Sequence, residues 1–247
     1  MNRVLFFKSL IFLFFLLGFS VHEAELIKEI DYKYHSAKSI TDLSKLESLV
    51  KKYIEVFPKS DRLLWRLGRI YFKLGDKTTN ESEKVYFFSL CIKQTQKTIK
   101  INSRSANSYF FKGLCNGTLG EIQGMWSSLT IIEPFKKDME TTISLDPSIE
   151  EGGPHRALGN LYSKLPYILG GDLSRSIGHF KKAISLGSGF GENYLGLAEA
   201  YIKNDELVLA RATLSKVINM KFNSQNAESI LSWQKKANRL FKKIVDN

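Results

Sequence analysis

Arg62, Trp65 and Arg69 stand at i, i+3 and i+7, which puts all three on one face of a helix. A guanidinium binds a carboxylate through two parallel hydrogen bonds, and an indole between two such groups covers an apolar tail. Arg156 and Asn160, at i and i+4, repeat the polar half of this arrangement further along, and Phe110 adds an aromatic. These six residues form the candidate binding set, for an anionic and partly apolar ligand or an acidic segment of a partner. The competing reading is structural: Trp65 packs against the segment before it and Arg62 is solvated. No catalytic set is visible. The chain has no GxSxG, HExxH or phosphate-loop pattern, and the run Gly187-Ser188-Gly189 follows a helix with no strand before it. Neither CxxC nor His/Cys ligand spacing occurs, and His22, His35, His155 and His179 are scattered, each read as a surface or packing residue. Neither an enzyme nor a cofactor is expected. Cys91 and Cys115 are read as buried free thiols, with pairing in an oxidising compartment as the alternative.

Those side chains need helices in register to hold them, and a repeat supplies these. In the last repeat Tyr194, Leu197, Ala198 and Tyr201 occupy positions 4, 7, 8 and 11, and Ala210, Leu214 and Val217 occupy 20, 24 and 27. Position 8 must be small because two helices cross most tightly there. The preceding repeat has His155, Leu158, Gly159 and Tyr162, then Ser176, Phe180 and Ala183. An earlier one has Leu64, Leu67, Gly68 and Tyr71, then Cys91, Thr95 and Thr98; a weaker one between them has Tyr109 and Gly113, then Phe135, Met139 and Thr142. A period of about 34 residues with this pattern is the tetratricopeptide signature. Gly68, Gly113, Gly159 and Ala198 are therefore expected to be structural, as are the turn residues Gly170 and Gly171. In such a stack, positions 2, 5, 9 and 12 of each first helix face the concave groove. They comprise Arg62, Trp65, Arg69 and Phe72; Asn107, Phe110, Leu114 and Gly117; Gly153, Arg156, Asn160 and Ser163; and Glu192, Leu195, Glu199 and Ile202.

The expected fold is an all-α, tetratricopeptide-like helical solenoid of about four helix-turn-helix repeats with insertions. The domains follow: a signal peptide over 1–20, an N-terminal half-repeat over 36–60 and repeats over 61–222, at about 61–104, 106–148, 152–188 and 191–222. A capping helix occupies 223–247. Three successive repeats carry insertions in the same turn, around Gly75–Lys84, Leu119–Glu133 and Leu165–Asp172. Insertions on one face are often the binding face. Ile122, Met125, Trp126, Leu129, Ile131, Ile132, Leu165, Tyr167 and Ile168 within them would be awkward in water and are expected to fold back as extra walls. Asp172 or Ser174 can cap the helix that follows.

Arg3 and Lys8 precede the apolar run Leu10–Leu17, and no charge appears before Glu23. This is the size of a signal-peptide core and short for a membrane span, and Gly18 and Ser20 place cleavage after Ser20. The expected location is periplasmic or secreted, with an N-terminal anchor as the alternative. The net charge of +11 would raise nucleic acid as a partner, but export argues against that and no run of five or six basic residues exists. The basic residues are read as a solvated surface, or as a match for an anionic ligand or acidic partner.

The run Leu145-Asp146-Pro147, then GGPHRALGNLY at Gly152–Tyr162 and GGDLSRSIGHFKKAI at Gly170–Ile184, resembles the periplasmic T component of TRAP-type transporters. Gly124-Met125-Trp126 is similar too. The resemblance covers Leu64–Val217. It implies a helical periplasmic protein, an accessory to an organic-acid transport system and in some members partnered with a solute-binding protein. Members are often lipoproteins and can be trimeric, so a homo-oligomer is an implied state; no cysteine here lies near the cleavage site. The chain is also similar to the eukaryotic regulator of microtubule dynamics family, whose repeats are likewise interrupted; the signal peptide argues against that second family. The function classes left are an exported binding scaffold, its transport-accessory version, and a generic interaction scaffold unrelated to transport.

Overall fold

The computed structural model describes residues 23–124, 129–221 and 227–245. The expected signal peptide lies outside these residues, as do Met125 and Trp126. All described secondary structure is helical, and no described helix is long and apolar enough to cross a membrane. The chain divides into two compact units, residues 1–103 and 104–247.

The first unit holds four helices: α1 (residues 23–36), α2 (Ile40–Val56), α3 (Asp61–Lys77) and α4 (Glu81–Ile101). Short polar side chains start three of them. Ser39 and Asp42 form a reciprocal capping box on α2, Ser60 accepts from the Leu63 amide on α3, and Asn80 accepts from the Glu83 amide on α4. α3 is strongly amphipathic and buries Leu63, Leu64, Leu67, Ile70, Tyr71 and Leu74. α1 is the element that sequence reading missed. Leu26, Ile27, Ile30 and Tyr34 are buried along it, so what precedes α2 is a helix with its own core stripe.

The insertion at Gly75–Lys84 is not a loop. α3 continues to Lys77 and α4 begins at Glu81, so the additional residues lengthen both helices and leave Thr78–Asn80 as the turn. Packing pulls the helix through these residues: a Cβ on Gly75 would lie 2.9 Å from the Phe88 ring, so the two helices stay close past the point where a shorter repeat turns.

The second unit runs through α5 (Ala106–Ile122), α6 (Leu129–Leu145), α7 (Ile149–Lys164), α8 (Leu173–Leu186), α9 (Gly191–Lys203), α10 (Leu207–Ile218) and α11 (Ala227–Val245). Each odd-numbered helix from α5 to α9 pairs with the next in an antiparallel hairpin, and α11 closes the end. Its Trp233 packs on Phe190 at 5.0 Å and blocks any side chain at Gly191. Small residues mark the crossings. A Cβ would meet Thr95 Cγ2 at 2.7 Å from Gly68, Met139 Cε at 2.4 Å from Gly113, and the Phe180 ring at 2.9 Å from Gly159. Ala198 is fully buried.

The third insertion is a true loop. Tyr167–Leu169 forms a 3-10 turn ended by Gly170 at φ 87°, and the backbone is tied by Gly171 N–H to the Pro166 carbonyl at 3.0 Å and Asp172 N–H to the Tyr162 carbonyl at 3.0 Å. Gly171 has no room for a side chain against the Leu165 carbonyl. Asp172 then caps α8 by accepting from the Arg175 amide. The expectation that apolar residues of the insertions fold back is met at Ile132, which is buried, but overturned at Tyr167 and Ile168, which are 90% and 88% exposed. The tight turn aims both outward. The expected free thiols are also overturned: no cysteine is free, and Cys91 and Cys115, both fully buried, are disulfide-bonded.

Candidate functional site

In the first unit, α3 holds Arg62, Trp65 and Arg69, and the structure separates their roles. Arg69 is 5% exposed and donates from Nη2 to Asp31 Oδ1 at 2.6 Å. Arg66 donates to the same carboxylate through Nε at 2.9 Å and Nη2 at 2.6 Å, and holds the Arg62 carbonyl through Nη1 at 2.9 Å. The arginine fork anticipated for a ligand is thus occupied from within the chain, by an aspartate of α1. Aromatic rings line the cluster. The Arg66 guanidinium lies 4.2 Å from the Trp65 ring, and Arg69 sits 3.8 Å from Tyr34 and 4.9 Å from Trp65. Lys73 donates to the Tyr34 carbonyl at 3.0 Å. Burial pushes the Asp31 carboxyl up, but its hydrogen bonds and Coulomb attraction to Arg66 and then Arg69 outweigh that and hold it below the usual carboxylate range. The Arg62 side chain stays outside this network. It is exposed and borders a shallow hollow with Glu23, Phe57 and Pro58.

In the second unit, Phe110 is buried, its ring filling the space where a Gly153 side chain would go. Arg156 also turns inward. Residues Glu150, Glu151 and Gly152 have φ of 49°, 58° and 77°, a left-handed run that is costly for the two glutamates. Arg156 donates to the Glu150 carbonyl at 3.1 Å from both Nη1 and Nη2, and to Asn193 Oδ1 at 2.8 Å. Fully buried Asn193 in turn donates to the carbonyls of Glu151 at 2.8 Å, Ala183 at 3.1 Å and Gly187 at 3.2 Å. Glycine is required at 152, where a Cβ would lie 2.8 Å from the Ala183 backbone. Arg156 and Asn193 therefore fix the entry to α7, and nothing in the sequence pattern pointed to Asn193.

Asn160, like Arg62, is exposed. It borders a cleft of about 180 Å³ with Leu114, Gly117, Phe135, Leu161 and Lys164. Lys164 at the mouth pairs with Glu121 at 2.9 Å, both well exposed. The lining is mostly apolar, with one amide, one hydroxyl, one ammonium and one carboxylate, an arrangement suited to a small apolar group with a polar end.

Sequence reading also missed the contact of two histidines. His155 Nδ1 lies 3.0 Å from His179 Nδ1, and His179 stacks on Tyr162 at 5.5 Å. Burial lowers both, and burial together with His155, Lys182 and Arg175 takes His179 to about 4, so the pair is neutral and shares a proton donated by one ring to the other. Among the described residues, no group of three or more His, Cys, Asp or Glu side chains could hold a metal ion.

Paired helices with glycine or alanine at every crossing, interrupted between the helices and closed by an amphipathic cap, define an interrupted tetratricopeptide-like repeat protein. The chain belongs to two families of this kind: the TRAP transporter T-component family, whose model matches residues 112–246, and the Regulator of microtubule dynamics protein 1-3 family, whose model matches residues 26–151. The second family, set below the first because of the apolar N-terminal run, thus stands beside it. Regulator of microtubule dynamics protein 1 of Bos taurus is 23% identical over 224 residues, covering 83% of this chain and 68% of its own. Regulator of microtubule dynamics protein 2 of Rattus norvegicus is 26% identical over 181 residues, covering 66% of this chain and 43% of its own. The chain therefore spans less than half of that second relative. Among solved structures, TTC0263, a thermophilic tetratricopeptide protein of Thermus thermophilus, superposes with a TM-score of 0.57 at 16% identity, covering 81% of this chain and 92% of that one. A MamA RS-1 double mutant gives 0.52 at 14% identity, covering 80% and 93%. These likenesses concern the fold alone.

Proposed function

We propose that this chain is an exported, periplasmic binding scaffold, an accessory component of a TRAP-type organic-acid transport system that works with a solute-binding protein. Its binding point is the cleft bordered by Leu114, Gly117, Phe135, Asn160 and Lys164. The observation that carries this reading is the cleft itself: it is the open polar-rimmed hollow on the α5 and α7 face of the second unit, inside the stretch matched by the transport family. The disulfide-bonded cysteines support an oxidising compartment. Arg69 serves less well as a ligand group, because a ligand carboxylate there must first displace Asp31.

The test uses small organic acids and any solute-binding protein encoded beside this chain. Asn160→Ala and Lys164→Ala alter exposed rim residues and leave the core intact. Each is expected to weaken binding about tenfold, the effect of one or two lost polar contacts to a charged group. Unchanged titration curves for both variants, against every ligand the wild type binds, refute the cleft. A second reading rests on the curated relatives: an intracellular interaction scaffold akin to the regulators of microtubule dynamics. Fractionation separates the two, since only the exported form is recovered outside the cytoplasm.

A further inference from the structure

The charge of this chain is unevenly placed, and its most one-sided element is the last helix. α11 carries Lys235, Lys236, Arg239, Lys242 and Lys243 against Glu228 alone. Its other face is committed: Ile230, Trp233, Ala237 and Ile244 are buried in the core of the second unit. The helix is therefore fixed in rotation, and its cations cannot turn inward. Lys236 pairs with Glu199 at 3.1 Å. The other four, Lys235, Arg239, Lys242 and Lys243, are all exposed. They sit at i, i+4, i+7 and i+8, on one outward face, and none makes an ion pair with a described residue. Leu231, one turn before Lys235, is 56% exposed on the same face, and Val245 beyond Lys243 is 54% exposed.

From this surface we infer that α11 docks the protein on an anionic phospholipid bilayer. Three features favour a lipid surface over an acidic protein segment. The cations lie along a convex helical ridge, which meets a plane well and encloses a peptide poorly. Three of the four are lysines, which act as point charges and lack the planar fork that reads one carboxylate. Exposed apolar side chains stand at both ends of the row, where they can enter the headgroup layer while the ammonium groups remain among the phosphates. The inference does not depend on compartment or on the cleft, because each basic residue near an anionic leaflet adds affinity on either side of a membrane.

The experiment is co-sedimentation of the full chain with vesicles of phosphatidylcholine alone or mixed with phosphatidylglycerol. The wild type is compared with the fourfold variant Lys235→Gln, Arg239→Gln, Lys242→Gln, Lys243→Gln. Any contribution from the apolar N-terminal run is common to both. Wild type is expected to prefer the anionic vesicles, the variant to lose roughly a hundredfold or more of that partition, and the difference to vanish near 1 M salt, where screening acts within about 3 Å. A control removes four exposed lysines elsewhere, Lys52, Lys93, Lys97 and Lys100, each to Gln, and is expected to bind as wild type does. Thermal melts confirm that both variants fold. Equal binding of wild type to neutral and anionic vesicles overturns the inference and leaves an acidic protein as the partner of this face. Equal loss in the control overturns it too, since net charge rather than α11 would then be responsible.

Discussion

Two imidazole nitrogens 3.0 Å apart cannot both be protonated cheaply, and this gives the fold a pH dependence readable at one residue pair. His179 titrates near 4 in the folded chain because burial, then His155, Lys182 and Arg175, disfavour its cation. Its folded value is depressed, so the stability it contributes is present above the ordinary histidine range and is lost as pH falls from about 6.5 towards 4. Part of His179 reaches solvent, which reduces the effect to about 1–2 kcal/mol. The expected outcome is a melting temperature that falls across this window in wild type and falls less in His179→Gln. Parallel curves for the two proteins would show that the pair does not control it. Neither histidine was recognisable beforehand as part of a pair. His155 occupies an ordinary packing position on α7, and the contact depends on how α8 is rotated after a loop of unusual conformation. Arg156 was misjudged for a related reason. Spacing assigned it a concave face, but the carbonyls it holds belong to a left-handed turn that no sequence pattern announces.

Helix crossings were the most legible elements. Gly68, Gly113 and Gly159 each mark a place where the partner helix leaves no room, and the reason is steric, so residue type alone carries it. The first insertion was not legible, because Gly, Thr and Asn in Gly75–Lys84 read as loop while the Phe88 ring packed on Gly75 keeps the helices together, whereas the Gly170-Gly171 turn and the Asp172 cap of the third were. Phe180 shows how tightly a crossing is set. It is 1% exposed and clamped from both sides, 2.9 Å from a Cβ at Gly159 on α7 and 2.1 Å from one at Gly196 on α9. Neither neighbour can yield without moving the other. Gly159→Leu is therefore expected to destabilise the second unit by about 3 kcal/mol or more, at the upper end of overpacking costs. Gly178→Ala is the matched control. It lies in α8 with nothing within 4 Å of a new Cβ, and is expected to stabilise by about 0.5–1 kcal/mol. Denaturant melts that rank the two variants the other way would mean that the α7 and α8 crossing is wrongly placed.

At the scale of the whole chain, the expected cleavage point after Ser20 lies just before the first described helix. Cleavage after Ser20 would leave α1 whole, since the described helix starts at residue 23. The sequence reading passed over α1 because it follows an apolar run and carries no repeat signature, yet it supplies both core and charge to the first unit. Leu26, Ile27, Ile30 and Tyr34 are buried on it, and Asp31 pairs with two buried guanidiniums and offsets one of their two charges. Removing residues 1–20 is accordingly expected to leave the melt unchanged. Removing residues 1–38 strips four large buried apolar side chains, each contributing roughly 1.5–3 kcal/mol, and strands Arg66 and Arg69 without a carboxylate. The melting temperature should then drop by on the order of 10 °C or more, if the product stays soluble at all. Asp31→Asn in the otherwise intact chain isolates the charge effect. Because the Asp31 carboxyl titrates below its ordinary value, the stability it adds is present at neutral pH and is lost as pH falls through the acid range. The variant should melt below wild type at pH 7 and approach it in acid. A 1–38 deletion that melts like the 1–20 deletion would show α1 to be dispensable, and would free the arginines of α3 to meet a ligand carboxylate where Asp31 now sits.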